Sequence, residues 1–531
     1  MTSSVRSTSE VRAALLNRDE IALLDVREEG PFAEAHPLFA ASLPLGRIEL
    51  EVYDRIPRRA TPIVVYDAGE GLAGAAATKL RDLGYTDVAV LDGGLEGWRR
   101  AGGELFRDVN VPSKAFGELV EVTRHTPSLS AEDLQVLLDA HADLVVLDAR
   151  RFEEYQTMSI PAAVSVPGAE LVYRVGTIAA DPDTLVVVNC AGRTRSIIGT
   201  QSLVNAGIPN RVAALRNGTI GWKLAGLTLE HGQGRRMPTV AAAQREHARA
   251  AARLVADRAG VGRLAGDLLS HWGSESTRTL YRFDVRTPEE FAAGHLHGFR
   301  SAPGGQLVHE TDVFATVRGA RIVLADDEGA RASMTASWLA QMGWEVHVLA
   351  EGATPAALET GPWRPSMPSA PAVRTVEVNE LDALIREKDA GQTDVVVLDF
   401  APSVDYIRGH ISGAWFTSRT LLRQPATVLP PAKRYVVTSP DGILARFAAA
   451  DVEASTGVGT SVLAGGTDAW VVAGRPLEAI PLRLATPVLD IYKRPYEGVE
   501  NSAVAMQAYL DWEFGLVAQL ERDGTAQFRV L

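Results

Sequence analysis

Val186-Val187-Val188-Asn189-Cys190-Ala191-Gly192-Arg193-Thr194-Arg195-Ser196 is an apolar, β-branched run that enters a short loop. From Ser196 to Ala206 the spacing turns helical, and Gly207 closes it. Strand, loop and helix in this order are half of a strand-helix-strand unit, and such units build parallel sheets covered on both faces. Ligands of these sheets sit at the carboxyl ends of strands, so chemistry is expected in the loop at Cys190.

Working outward, the same phrase returns three times, as Ile63-Val64-Val65-Tyr66-Asp67, Ile322-Val323-Leu324-Ala325-Asp326 and Tyr435-Val436-Val437-Thr438-Ser439. Each of the four is preceded by a run ending in Asp: Leu23-Leu24-Asp25, Val146-Leu147-Asp148, Arg282-Phe283-Asp284 and Val397-Leu398-Asp399. The separations from that Asp to the loop position are 42, 42, 42 and 40 residues, an agreement that marks an internal repeat. In three of them Arg follows the Asp two places on, as Arg27, Arg150 and Arg286. A third feature comes 23 to 25 residues after the loop position: Leu91-Asp92-Gly93-Gly94 before Trp98, Leu215-Arg216-Asn217-Gly218 before Trp222, and Leu463-Ala464-Gly465-Gly466 before Trp470. The third repeat keeps Leu349-Ala350-Glu351-Gly352 with no Trp behind it. Gly84 and Gly343 read as helix stops, and Ser130 and Asn379 as N-caps ahead of the Asp-bearing strands.

The phasing divides the chain into repeats at 1–110, 111–236, 259–365 and 372–484, with a helical linker at 237–258 and a tail at 485–531. The prolines between Pro362 and Pro371 favour an extended, stiff connection. The tail, with Arg494-Pro495-Tyr496-Glu497-Gly498 and the aromatic run Tyr509 to Phe514, is expected to pack back on a repeat or to form a dimer contact. Five hundred and thirty-one residues, 46% hydrophobic and 22% charged, supply several cores. A net charge of -13 with no long basic run argues against nucleic-acid or membrane binding. No secretion signal or long apolar span is evident, so a cytoplasmic location is expected. The single cysteine excludes an intrachain disulfide and a Cys-rich zinc site, so any sulfur chemistry falls to Cys190.

A loop between a strand and a helix aims backbone N–H groups and the positive end of the helix dipole at the cysteine sulfur. With Arg193 and Arg195 beside it, the thiol pKa is expected to fall below its free value. A buried structural cysteine is the competing reading.

The four-fold pattern and the Cys190 loop resemble the rhodanese family of sulfurtransferases over about nine tenths of the chain. The resemblance implies an α/β fold of four tandem rhodanese-like domains, each a mainly parallel sheet flanked by helices. It implies that Cys190 takes a sulfane sulfur from thiosulfate or a low-molecular-weight persulfide and passes it to cyanide or a thiol. By the same resemblance the N–H groups from Ala191 to Ser196 hold the terminal sulfur, while Arg193 and Arg195 hold the anionic donor, with no cofactor or metal required. Small anionic donors, a thiol or cyanide acceptor, a protein acceptor and a homo-oligomer are the partners it allows. Phosphatases of related fold place Arg after Cys and five residues, whereas here the sixth residue is Ser196, which favours sulfur over phosphate.

Departures from the family pattern bound the expectation. Asp67, Asp326 and Ser439 stand at the cysteine position, so repeats one, three and four read as inactive. Repeats three and four keep Gly294-His295-Leu296 and Gly409-His410-Ile411, while repeat two reads Met158-Ser159-Ile160 at that place. Asp148 and Arg150 read as a structural ion pair near the site, because repeats one and three carry the same pair without a nucleophile. Trp222 reads as core packing for the same reason. The alternative function is a non-catalytic sulfane-sulfur sensor or protein-binding module.

Overall fold

The computed structural model describes residues 4–350, 358–424, 427–497 and 502–531. It contains four five-stranded sheets, each in the order first-fifth-fourth-second-third. Every strand pair is parallel, with helices covering the faces. In repeat two the strands are Ser128–Leu129, Leu144–Asp148, Val164–Ser165, Leu185–Asn189 and Val212–Leu215. Central strands such as Leu185–Asn189 are buried on both faces, which is why they read as unbroken apolar runs. The spacing of about 42 residues is a sheet register: Asp25, Asp148, Asp284 and Asp399 lie opposite Tyr66, Asn189, Ala325 and Thr438, the residues just before each loop position.

Local signals place the helices with two exceptions. Ser130 caps Ala131–Asp139 by accepting from the Asp133 N–H, as expected. Asn379 is not an N-cap; Glu377 holds that place and Asn379 lies inside Val378–Asp389. The helix after Cys190 starts at Thr194 rather than Ser196, which brings Arg195 into its first turn. Gly207 ends it in the left-handed conformation, φ 69°. Trp98, Trp222 and Trp470 are buried, and each indole N–H donates to the carbonyl six residues on, at 3.0, 2.9 and 3.0 Å. These are packing anchors. Of the third-repeat motif, Glu351 and Gly352 lie outside the described residues, as does Gly498 of the tail motif.

The repeats pack on one another both in and out of chain order, and repeat one meets repeat three through a bridge between Ile21 and Arg318. Repeat two meets repeat three where the turn Gly168–Glu170 abuts Gly304 and Gly305; a methyl group on Gly305 would lie 3.0 Å from the Gly168 nitrogen. Repeat one meets repeat four through the equivalent turn Leu45–Arg47, where the Gly46 N–H donates to Thr420 Oγ1 at 3.0 Å and Glu49 pairs with Arg419 at 2.9 Å. The linker helix Ala242–Arg258 inserts Ala248, Ala252 and Val255 into a core shared with Leu171 of repeat two and Met334 of repeat three. The tail folds back within the chain: helix Leu516–Asp523 sets Leu516 and Leu520 in the core of repeat one. No helix among the described residues is long and apolar enough to cross a membrane.

Candidate active site

Strand Leu185–Asn189 delivers Cys190 to the carboxyl edge of the second sheet, and helix Thr194–Ala206 leaves from the far side of the loop. The Gly at the third repeated feature fixes the loop from below. Gly218, at φ 52°, lies so near the Cys190 carbonyl that a Cβ there would stand 2.3 Å from its oxygen. That carbonyl accepts from the Thr219 N–H at 3.0 Å, and the Ala191 carbonyl accepts from the Ile220 N–H at 3.0 Å. The same bond recurs at Leu95 to Asp67 (2.9 Å) and Thr467 to Ser439 (3.0 Å).

The cradle is common to all four repeats, and its filling differs. Ala73, Ala332 and Ala445, each six residues after the loop position, donate their N–H to the Asp67, Asp326 and Ser439 side chains at 2.8, 3.2 and 3.2 Å. Asp67 also accepts from Gly69 at 3.0 Å, and Asp326 from Gly329 and Arg331 at 2.6 and 2.9 Å. In repeats one and three the protein's own carboxylate thus occupies the anion nest. In repeat two the nest faces a sulfur: the Ser196 N–H and hydroxyl both lie against Cys190, with Sγ 3.3 Å from Ser196 Oγ.

The two loop arginines are not free charges. Arg193 forms a two-point pair with Glu118 at 2.7 and 2.9 Å and donates to Asn217 at 3.2 Å. Arg195 forms a two-point pair with Glu154 at 2.7 and 2.8 Å. Arg195 holds the Glu154 carboxyl far below the ordinary carboxylate range, against the opposing push of burial. These pairings correct the expectation of a lowered thiol pKa. Cys190 is 2% exposed, and burial pushes its thiol up; Arg195 and the hydrogen bonds with Ser196 pull the other way without winning. Beneath the loop, Asp148 and Arg150 form a buried pair at 2.7 Å, Arg150 donates to the Met158 carbonyl at 2.6 Å, and Asn189 donates to Asp148 at 2.9 Å. Thr194 is buried against Gly117.

What covers the cysteine is the tail. Helix Ala503–Phe514 lies across the loop, so that a methyl group on Gly192 would meet Glu513 Oε2 at 3.3 Å and Tyr509 at 3.4 Å. Ala191, Ile220, Tyr496, Met506, Tyr509 and Leu510 form one apolar cluster there. Glu118, Glu154 and Lys114 escaped the sequence reading; Tyr496, Tyr509 and Glu513 fell in stretches it singled out without tying them to Cys190. Arg195 also lines a cleft of about 780 Å³ between repeats two and three, beside Arg151, Arg236 and Glu289. The histidine of repeats three and four is structural: His295 and His410 stack on Phe291 and Tyr406 and bond their carbonyls at 2.8 and 2.9 Å. Repeat one has it too, as His36 on Phe32, and Ser159 takes the equivalent bridge in repeat two.

Comparison with known proteins agrees with this geometry. The rhodanese-like domain family matches residues 7–101, 130–225, 268–355 and 377–473. A crystal structure of a thiosulfate sulfurtransferase from Pseudomonas aeruginosa is 61% identical, covering 99% of this chain and 100% of that one with a TM-score of 0.96. The thiosulfate sulfurtransferase GlpE of Tolumonas auensis is 29% identical over 99 residues, 19% of this chain and 92% of that protein. An uncharacterized protein of Synechocystis sp. is 33% identical over 98 residues, 18% of this chain; the match spans about half of that protein, 54%. Four family matches over four equivalent sheets, with a relative alike from end to end, place the chain in the rhodanese family as a rhodanese-type enzyme.

Proposed function

We propose that the chain is a cytoplasmic sulfurtransferase that carries sulfane sulfur on Cys190 from thiosulfate, or a low-molecular-weight persulfide, to cyanide or a thiol. The observation that carries this reading is the contrast between cradles: three are filled by Asp67, Asp326 and Ser439, and one presents a cysteine to the same N–H groups. In the first half-reaction the Cys190 thiol loses its proton to solvent, and the thiolate attacks the outer sulfur of thiosulfate. A new S–S bond forms, the S–S bond of the donor breaks, and sulfite leaves with the electron pair. In the second, cyanide attacks the terminal sulfur, thiocyanate departs and the thiolate is restored.

Residues 191–196 serve as substrate-binding groups in this scheme, chiefly through backbone N–H groups. Arg193 and Arg195, being paired with Glu118 and Glu154, order the loop and lend residual positive potential rather than direct contact. Asp148 and Arg150 support the loop from below.

The test is intact-protein mass after thiosulfate, then after cyanide, for wild type and Cys190→Ser. Wild type is expected to gain one sulfur atom and lose it as thiocyanate over many cycles, with Cys190→Ser inert. A single loading without turnover, accompanied by altered binding of another protein, would establish the sensor reading instead.

A further inference from the structure

The tail helix brings an acid to the mouth of the Cys190 loop. Glu513 is 1% exposed, Tyr509 Oη donates to its Oε1 at 3.0 Å, and its Oε2, standing over Gly192, has no hydrogen-bond partner among the described residues. A buried carboxyl oxygen left unpaired costs free energy unless something binds it. It lies outside all four family matches, against Gly192 of the loop that carries Cys190. Resting on the sulfurtransferase reading above, we propose that Glu513, in its protonated form, donates a hydrogen bond from Oε2 to the anionic sulfur donor held over Cys190. It is thus a donor-binding residue supplied by the tail.

The electrostatic surroundings fit that role. Burial pushes the Glu513 carboxyl up to about 8, with Glu118 adding to the rise and Lys114, Arg193 and the Tyr509 hydroxyl opposing it. Lys114 itself is held by Asp108 at 2.8 Å and lies among the Tyr496, Tyr509 and Trp512 rings, 5.2 to 5.8 Å from their centres. Below about pH 8 the acid is neutral and donates; above it the carboxylate repels a donor dianion and also disfavours the Cys190 thiolate. Because these two groups interact, binding is best read with the thiol removed.

The experiment measures the thiosulfate Kd on Cys190→Ser and the thiosulfate KM on wild type, each from about pH 6 to about pH 9.5. Both constants are expected to be flat at low pH and to rise roughly tenfold per pH unit above about pH 8, as for loss of one proton. Glu513→Gln keeps a donor in place of Oε2 and is expected to hold the low-pH KM across the range. Glu513→Leu is expected to raise it at every pH. A KM and Kd flat to about pH 9.5, or a Glu513→Gln profile that follows wild type, overturns the inference while leaving the sulfurtransferase intact. Wild type that neither turns over nor gains sulfur overturns both.

Discussion

At Cys190 the thiol meets the hydroxyl and the N–H of Ser196 but also a closed, apolar wall, and burial outweighs these hydrogen bonds. Its raised pKa has a plain kinetic signature. Alkylation follows the thiolate, so the iodoacetamide rate should still be climbing at about pH 10, where an ordinary thiol of pKa about 8.5 has levelled off. Arg195 is the group to perturb. Glu154→Gln removes the carboxylate that neutralises its guanidinium, which shifts that profile to lower pH, the direction of a better-stabilised thiolate. The same change costs about 2 kcal/mol of stability, less than for a fully enclosed pair because Glu154 keeps some solvent contact. Urea unfolding alongside the alkylation series checks both halves. The sequence places two arginines beside one cysteine and invites the opposite direction, because Glu118 and Glu154 lie 75 and 41 residues away from the arginines they neutralise.

At the scale of elements, the repeated Gly is a steric requirement of the loop. Gly218→Ala would drive a Cβ to 2.3 Å from the Cys190 carbonyl at a positive φ, costing roughly 2 kcal/mol or more and loosening the cradle. Gly207→Ala, also at positive φ but facing open space, is the control and should cost about 1 kcal/mol with sulfur uptake retained. Denaturant midpoints and the mass assay together separate the two. This is also where sequence reading succeeds. The Asp-to-loop spacing and the Gly before Trp222 are periodic because register and close backbone approach are local constraints, so Asp25, Asp148, Asp284 and Asp399 declare all four sheets. Caps are weaker guides, as Asn379 shows: the helix starts two places earlier than that cap implies, behind Glu377, whose side chain makes no cap bond. The covering of the site is not periodic. Tyr509 and Glu513 belong to a helix with apolar residues all round and no counterpart in any repeat, so nothing in the spacing ties them to Cys190.

For the whole molecule, pairing of repeat one with four and two with three rests on buried charge as well as small residues. Arg331 is fully buried and reaches Glu170 of repeat two at 3.0 Å while holding Glu290 and Asp327 of its own repeat at 2.6 Å each. Arg331→Met leaves these carboxylates, of which Glu170 is buried, without their shared cation and should cost about 3 kcal/mol. Calorimetry is expected to show repeats two and three melting earlier. Finally, Glu513 follows Cys190 by 323 residues, so during translation the nucleophile leaves the ribosome long before its cover exists. At about 5–20 residues per second that interval is roughly 16 to 65 s. Nascent chains arrested in this window display an open thiol that finished chains enclose, and a pulse of thiol-reactive dye therefore labels newborn molecules in preference to mature ones.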